Sequence, residues 1–218
     1  MNFVIDTFNR LFFSTDKNFI PKIERILGYL KEMSEMLVHL SKTESKIEKS
    51  SLCVRVQELE KKVHQESVLL IIGLDHNFLT EISREDLMAI AKTTERIAER
   101  ILEACNTIDF FLEDVEGSPA MIELCNSIKE SICAITICFK HLNKPVKSRS
   151  KLKYSSAKIS QYNKFAEKSY RMIKAEVLRE KEDAVNRIKL SEWLDRLNDI
   201  TEQCVEMNYI YDQILVKK

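Results

Sequence analysis

Two long amphipathic segments of this chain recur about a hundred residues later with their apolar positions in register. Leu87, Ile90, Thr94, Ile97, Ile101, Ala104, Ile108 and Phe111 step alternately by three and four, the spacing of one face of an α-helix. Adding 103 to each number gives Leu190, Trp193, Leu197, Ile200, Cys204, Met207, Tyr211 and Ile214. The same offset carries Val56, Leu59, Val63, Ser67, Leu70 and Leu74 onto Ile159, Tyr162, Ala166, Tyr170, Ile173 and Val177. A duplicated helical unit constrains the architecture more tightly than any single motif. It also pairs each residue of the first copy with one of the second.

The rest of the chain fits a helical reading. Among 218 residues there are only three Gly and three Pro, too little turn chemistry for a β-rich fold. Val4, Phe8, Leu11 and Phe12 predict a short amphipathic N-terminal helix over residues 2–13, packed on the body of the protein. Phe19, Ile23, Ile26, Leu30, Met33, Leu37 and Leu40 predict a first long helix over 18–44, and a second spans 50–78. Ser83-Arg84-Glu85-Asp86 resembles a capping box and starts a third at 84–114. Gly117-Ser118-Pro119 combines a terminator, an N-cap and a first-turn proline, and is the clearest boundary in the chain. A fourth helix follows at 119–142, where Met121, Cys125, Ile128, Ile132, Ile135, Phe139 and Leu142 match the first at an offset of 102. A fifth covers 152–181. Asn186, the offset partner of Ser83, is expected to cap a sixth over 187–216.

Each such helix has one apolar face to bury. The expected fold is all-α: a short N-terminal segment over 1–17, a three-helix bundle over 18–116 and a second over 117–218, related by pseudo-twofold symmetry within one compact domain.

Composition excludes several function classes. Lys plus Arg and Asp plus Glu both number 34, so there is no general attraction to nucleic acid. The longest apolar runs, Val68–Ile72 and Ile132–Phe139, fall short of the roughly 20 residues needed to cross a bilayer. The N-terminus lacks the basic start and cleavage site of a secretory signal. Six cysteines, none in a Cys-x-x-Cys pair, fall mostly on apolar stripes and read as reduced thiols of a cytoplasmic protein. Lys140, Lys144, Lys147, Arg149, Lys151 and Lys153 form a basic stretch that reads as a solvated linker, with anionic lipid or phosphate as the alternative ligand.

The offset also pairs polar residues. Glu60 and His64 lie four apart on the second helix, and Glu95 and Glu99 four apart on the third. Residues at that spacing share a helix face, so two adjacent helices would offer three carboxylates and an imidazole to one ion. Iron, manganese and magnesium suit that set, with zinc also allowed. The second copy has Asn163 and Glu167, then Asn198 and Glu202. An amide is neutral and a weaker ligand, so the second site is expected to bind metal poorly. Other acid pairs at this spacing, such as Glu44/Glu48 and Asp195/Asp199, read as solvated faces; only the matched placement lifts these four above them. They flank the core stripe, so any metal would sit on the outside of a bundle, unlike the inward carboxylates of a di-iron oxidase. His39, His76 and His141 read as helix-end or packing residues, and Trp193 as core. No phosphate loop, HExxH or serine triad is present.

The stretch from Val56 to Glu99 resembles the PhoU-like proteins of the Pit accessory type. Glu60-Lys-Lys-Val-His64 falls where that family carries its first Glu/Asp-x-x-x-Asp motif, and Glu95-Arg-Ile-Ala-Glu99 where its second belongs. Phe78-Leu-Thr-Glu-Ile-Ser-Arg-Glu-Asp86-Leu is similar to the family's turn, with Glu81 in place of proline. The segment from Ile188 to Lys217, including Cys204, resembles its closing helix. The resemblance implies two duplicated three-helix bundles with surface metal sites. It further implies a non-enzymatic cytoplasmic regulator of phosphate transport, at the inner membrane where it binds a Pit-type transporter. Self-association is left open. A scaffold of spectrin-like bundles is the alternative, although Gly117-Ser118-Pro119 would break the continuous helix of such repeats. A metal-dependent enzyme is the third reading.

Overall fold

A computed structural model of the chain describes residues 16–75, 82–111, 118–142, 149–179 and 184–217. The expected N-terminal helix, Gly117, His76, Phe78, Glu81, Lys144 and Lys147 lie outside the described residues.

The described residues form six helices: α1 (Asp16–Leu40), α2 (Lys46–Asp75), α3 (Arg84–Phe111), α4 (Pro119–Leu142), α5 (Arg149–Arg179) and α6 (Ala184–Lys217). No strand occurs among the described residues. The helix starts follow the local chemistry. Ser83 Oγ accepts the backbone N–H of Asp86 at 3.1 Å, and its carbonyl accepts that of Leu87 at 3.0 Å. Ser118 does the same for Met121 and Ile122, with Pro119 in the first turn. One cap is corrected: α6 begins at Ala184, so Asn186 sits inside its first turn rather than ahead of it.

Within each copy the three helices pack on one another, α1 with α2 and α3, α4 with α5 and α6. The two bundles then meet side by side through α1 against α4 and α3 against α6. The offset that links the sequences therefore also links the contacts. At this seam the buried faces merge, so both bundles contribute to a single hydrophobic core. Helices α2 and α5 pack within their own bundles and form the outer flanks. Spectrin-like repeats stack end to end along a continuous helix; here α3 and α4 are separate helices and the bundles lie flank to flank.

The stripes read from the sequence are the buried faces. Ile97, Ile101 and Ala104 of α3 and their offset partners Ile200, Cys204 and Met207 of α6 are all fully buried. Tyr162 and Tyr170 are exceptions, half-buried at the edge of the α5 stripe. Polar members of the stripe are accommodated locally: Thr94 is buried and returns its hydroxyl to the carbonyl of Ile90 at 2.7 Å. No helix among the described residues is long and apolar enough to cross a membrane.

Candidate functional site

On the outer flank of the first bundle, α2 carries Glu60 and His64 and α3 carries Glu95 and Glu99. The helices bring the two pairs to one surface. His64 Nδ1 contacts Glu95 Oε1 directly. The His64 side chain is 57% exposed, whereas that of Glu95 is 18% exposed, so the carboxylate lies below the imidazole. Burial raises the Glu60 carboxyl above its usual range; His64 acts against this, and Glu99 and Glu95 add to it. Glu60 thus feels the other three groups, and the sequence pairing is a spatial one.

Their arrangement is that of a histidine–carboxylate contact beside two further carboxylates. Among the described residues, no three His, Cys, Asp or Glu side chains are grouped so as to hold a metal ion. Glu95 Oε1 is turned to His64. The three carboxylates and the imidazole share one surface, with His64 and Glu95 turned to each other.

The second bundle departs further. Glu167 pairs with Arg171 one turn along α5. On α6, Asn198 Nδ2 donates to Glu202 Oε1 at 2.8 Å. Asn163 is not an exposed ligand at all: it is 5% exposed, and Ser131 of α4 donates its hydroxyl to Asn163 Oδ1 at 2.7 Å. An amide tolerates a position behind the surface better than the charged carboxylate of Glu60, because its desolvation costs less.

Between α5 and α6 these residues line a groove of about 520 Å³, whose walls include Asn163, Glu167, Tyr170, Arg171, Asn198 and Glu202. One end is closed by a polar cluster that periodicity did not identify. Tyr170 donates its hydroxyl to Asp195 Oδ1 at 2.6 Å, and Lys174 Nζ contacts both groups. Burial pushes the Tyr170 phenol up, and its hydrogen bond to Asp195 acts in the same direction. The apolar stripe claimed Tyr170 for the core. The usable cue was its i, i+4 relation to Lys174, which marks a polar edge.

No family model matches the sequence, and no curated protein matches it. Solved structures do match the fold. A PhoU-like protein from Shewanella oneidensis MR-1 superposes with a TM-score of 0.75 at 8% identity, covering 91% of this chain and 100% of that one. A putative PhoU-like phosphate regulatory protein from the same organism gives a TM-score of 0.70 at 9% identity, covering 92% and 100%. With helices, seam and duplication already in place, this likeness establishes that the chain has the PhoU-like fold.

Proposed function

We propose that the chain is a non-catalytic regulator of phosphate handling that works by docking another protein, with a Pit-type phosphate transporter as its partner at the inner face of the membrane. The observation that carries this reading is the superposition on a putative PhoU-like phosphate regulatory protein over nine-tenths of the chain. The surface supports it. The outer helices present large apolar side chains to solvent, Leu69 and Ile72 on α2 and Phe165 and Met172 on α5, each about half exposed. Leu69 and Met172 are partners under the 103-residue offset, so both bundles offer an apolar contact at the same place. The reading assigns the chain no reaction of its own and requires no bound ion.

The test is affinity capture from cross-linked, detergent-solubilised membranes of cells carrying the tagged protein. A phosphate transporter enriched by the natural chain, and lost with Leu69→Glu or Met172→Glu, is the expected result. Failure of any transporter to enrich above an untagged control overturns it.

A further inference from the structure

We propose that the end of the second bundle where α4 finishes and α5 begins is a docking surface for an anionic phospholipid membrane. A groove of about 510 Å³ runs between these two helices. Its counterpart in the first bundle neutralises itself: Arg55 pairs with Glu32 at 2.7 Å, His39 with Glu48 at 3.0 Å and Lys31 with Glu35 at 3.5 Å. Under the offsets of 102 and 103 residues those pairs become Lys158 with Ala134, His141 with Lys151, and Cys133 with Ile137. All six of the latter line the groove. Each carboxylate of the first copy has thus become an apolar or a basic residue. Two of the three basic partners remain and Lys151 is added, so the counter-charge has to come from outside the chain.

The excess of positive charge is wider than the groove. From Ser131 to Ala166 the sequence holds eight lysines and arginines and no aspartate or glutamate, in a chain whose net charge is zero. Lys140 in the last turn of α4, and Lys151 and Lys153 near the start of α5, are exposed and have no acidic partner among the described residues. Glu130, about three turns along α4 from His141, is paired with Lys129 at 3.1 Å. Lys151 and Lys153 are two residues apart and leave α5 on nearly opposite sides, so no single small anion touches both. An extended anionic surface needs no such convergence, because each lysine adds attraction over a Debye length of about 8–10 Å.

An apolar component stands at the same place. Tyr154 is 65% exposed and Ile137 is 49% exposed. Lys158 Nζ lies over the Tyr154 and Tyr162 rings, 5.8 and 5.9 Å from their centroids. Tyrosine beside lysine suits the headgroup layer, where the ring enters the boundary and the ammonium stays hydrated. Lysine is by contrast depleted in protein–protein interfaces. A surface of one sign also offers little to fix the register of a protein partner. The inference does not depend on the regulatory reading, because a lipid surface needs no transporter.

The test is sedimentation of the purified full chain with protein-free vesicles, either of phosphatidylcholine alone or of phosphatidylcholine with an equal part of phosphatidylglycerol, at low and at physiological salt. Binding to the anionic vesicles only, weakened by salt, is expected. The double change Lys151→Glu with Lys153→Glu should weaken it by about twentyfold or more, since one lysine near such a surface is worth about fivefold. Lys61→Glu with Lys62→Glu, at exposed positions of α2, makes the same change in net charge and should bind like the natural chain. Tyr154→Ser should weaken binding at both salt concentrations, and circular dichroism checks the folding of every variant. Absence of binding to the anionic vesicles overturns the proposal. So does an equal loss in the two lysine pairs, which would reduce the effect to net charge. Capture of an acidic protein through Lys151 and Lys153, with no binding to vesicles, would assign the surface to a protein partner and equally overturn it.

Discussion

Lys217 Nζ and Asp86 Oδ1 meet at 2.7 Å, joining the last turn of α6 to the first turn of α3 across the seam between the bundles. Asp86 is nearly buried, with a side chain 9% exposed, while Lys217 is 56% exposed. The carboxylate also sits at the positive end of α3, where a negative charge is favoured. Asp86→Asn is expected to lower stability by about 1 kcal/mol, less than a fully buried pair would lose, because the lysine is well solvated. Urea unfolding of Asp86→Asn, Lys217→Ala and the double variant forms the check. A coupling indistinguishable from zero would mean the pair does not hold the seam.

The duplication makes its own prediction. Ile97 and Ile200 are offset partners, each with 0% exposure, on the two helices that meet at the seam. Truncation of either to Ala should cost about 2–5 kcal/mol. Because the bundles share one core, each variant should unfold in a single transition, monitored by far-ultraviolet circular dichroism and tryptophan fluorescence together. Two separated transitions in either variant would show that the bundles unfold independently.

The fold was legible because burial and helical period are one pattern. Every residue of the α1 row from Phe19 to Leu40 and of the α4 row from Met121 to Leu142 is buried. Helix starts were legible where a side chain could accept a free N–H and nothing competed, as at Ser83 and Ser118. Asn186 failed because an asparagine in the right register does not oblige a helix to begin there; α6 extends two residues further back. The site was only half legible. Spacing placed Glu60, His64, Glu95 and Glu99 on one surface, but it carries no information on rotamers. The His64–Glu95 contact exists only in three dimensions. Asn163 was read as a weakened surface ligand, since periodicity cannot show that Ser131 of a third helix lies behind it.

That buried contact is itself testable. Removing the Ser131 hydroxyl leaves the whole Asn163 amide without a partner, because Nδ2 already lacks one. Ser131→Ala should therefore cost about 1–3 kcal/mol, the desolvation penalty of the abandoned acceptor. The double change Ser131→Ala with Asn163→Leu removes both polar groups and should recover most of that loss. Urea midpoints of the two variants decide it; a double variant as unstable as the sum of the single changes would show that the pair is not coupled.

The cysteines give stability a pH dependence whose sign follows from burial. Burial pushes the thiols of Cys125 and Cys204 from an ordinary 9.0 up to about 12, and raises that of Cys138 still further. Below pH 9 each is protonated in the folded and unfolded chains alike, and contributes no slope. Above pH 9 the unfolded chain releases protons that the folded chain keeps, so stability falls as pH rises. Each such thiol contributes about 1.4 kcal/mol per pH unit between the two values. Urea unfolding at pH 8, 9 and 10 should show the decline, and the double change Cys125→Ala with Cys204→Ala should make it shallower. The comparison isolates the thiols from lysines and tyrosines that titrate in the same range. An unchanged slope in the double variant would mean that these cysteines ionise as readily in the folded protein as in the unfolded chain, and that the core around them admits water.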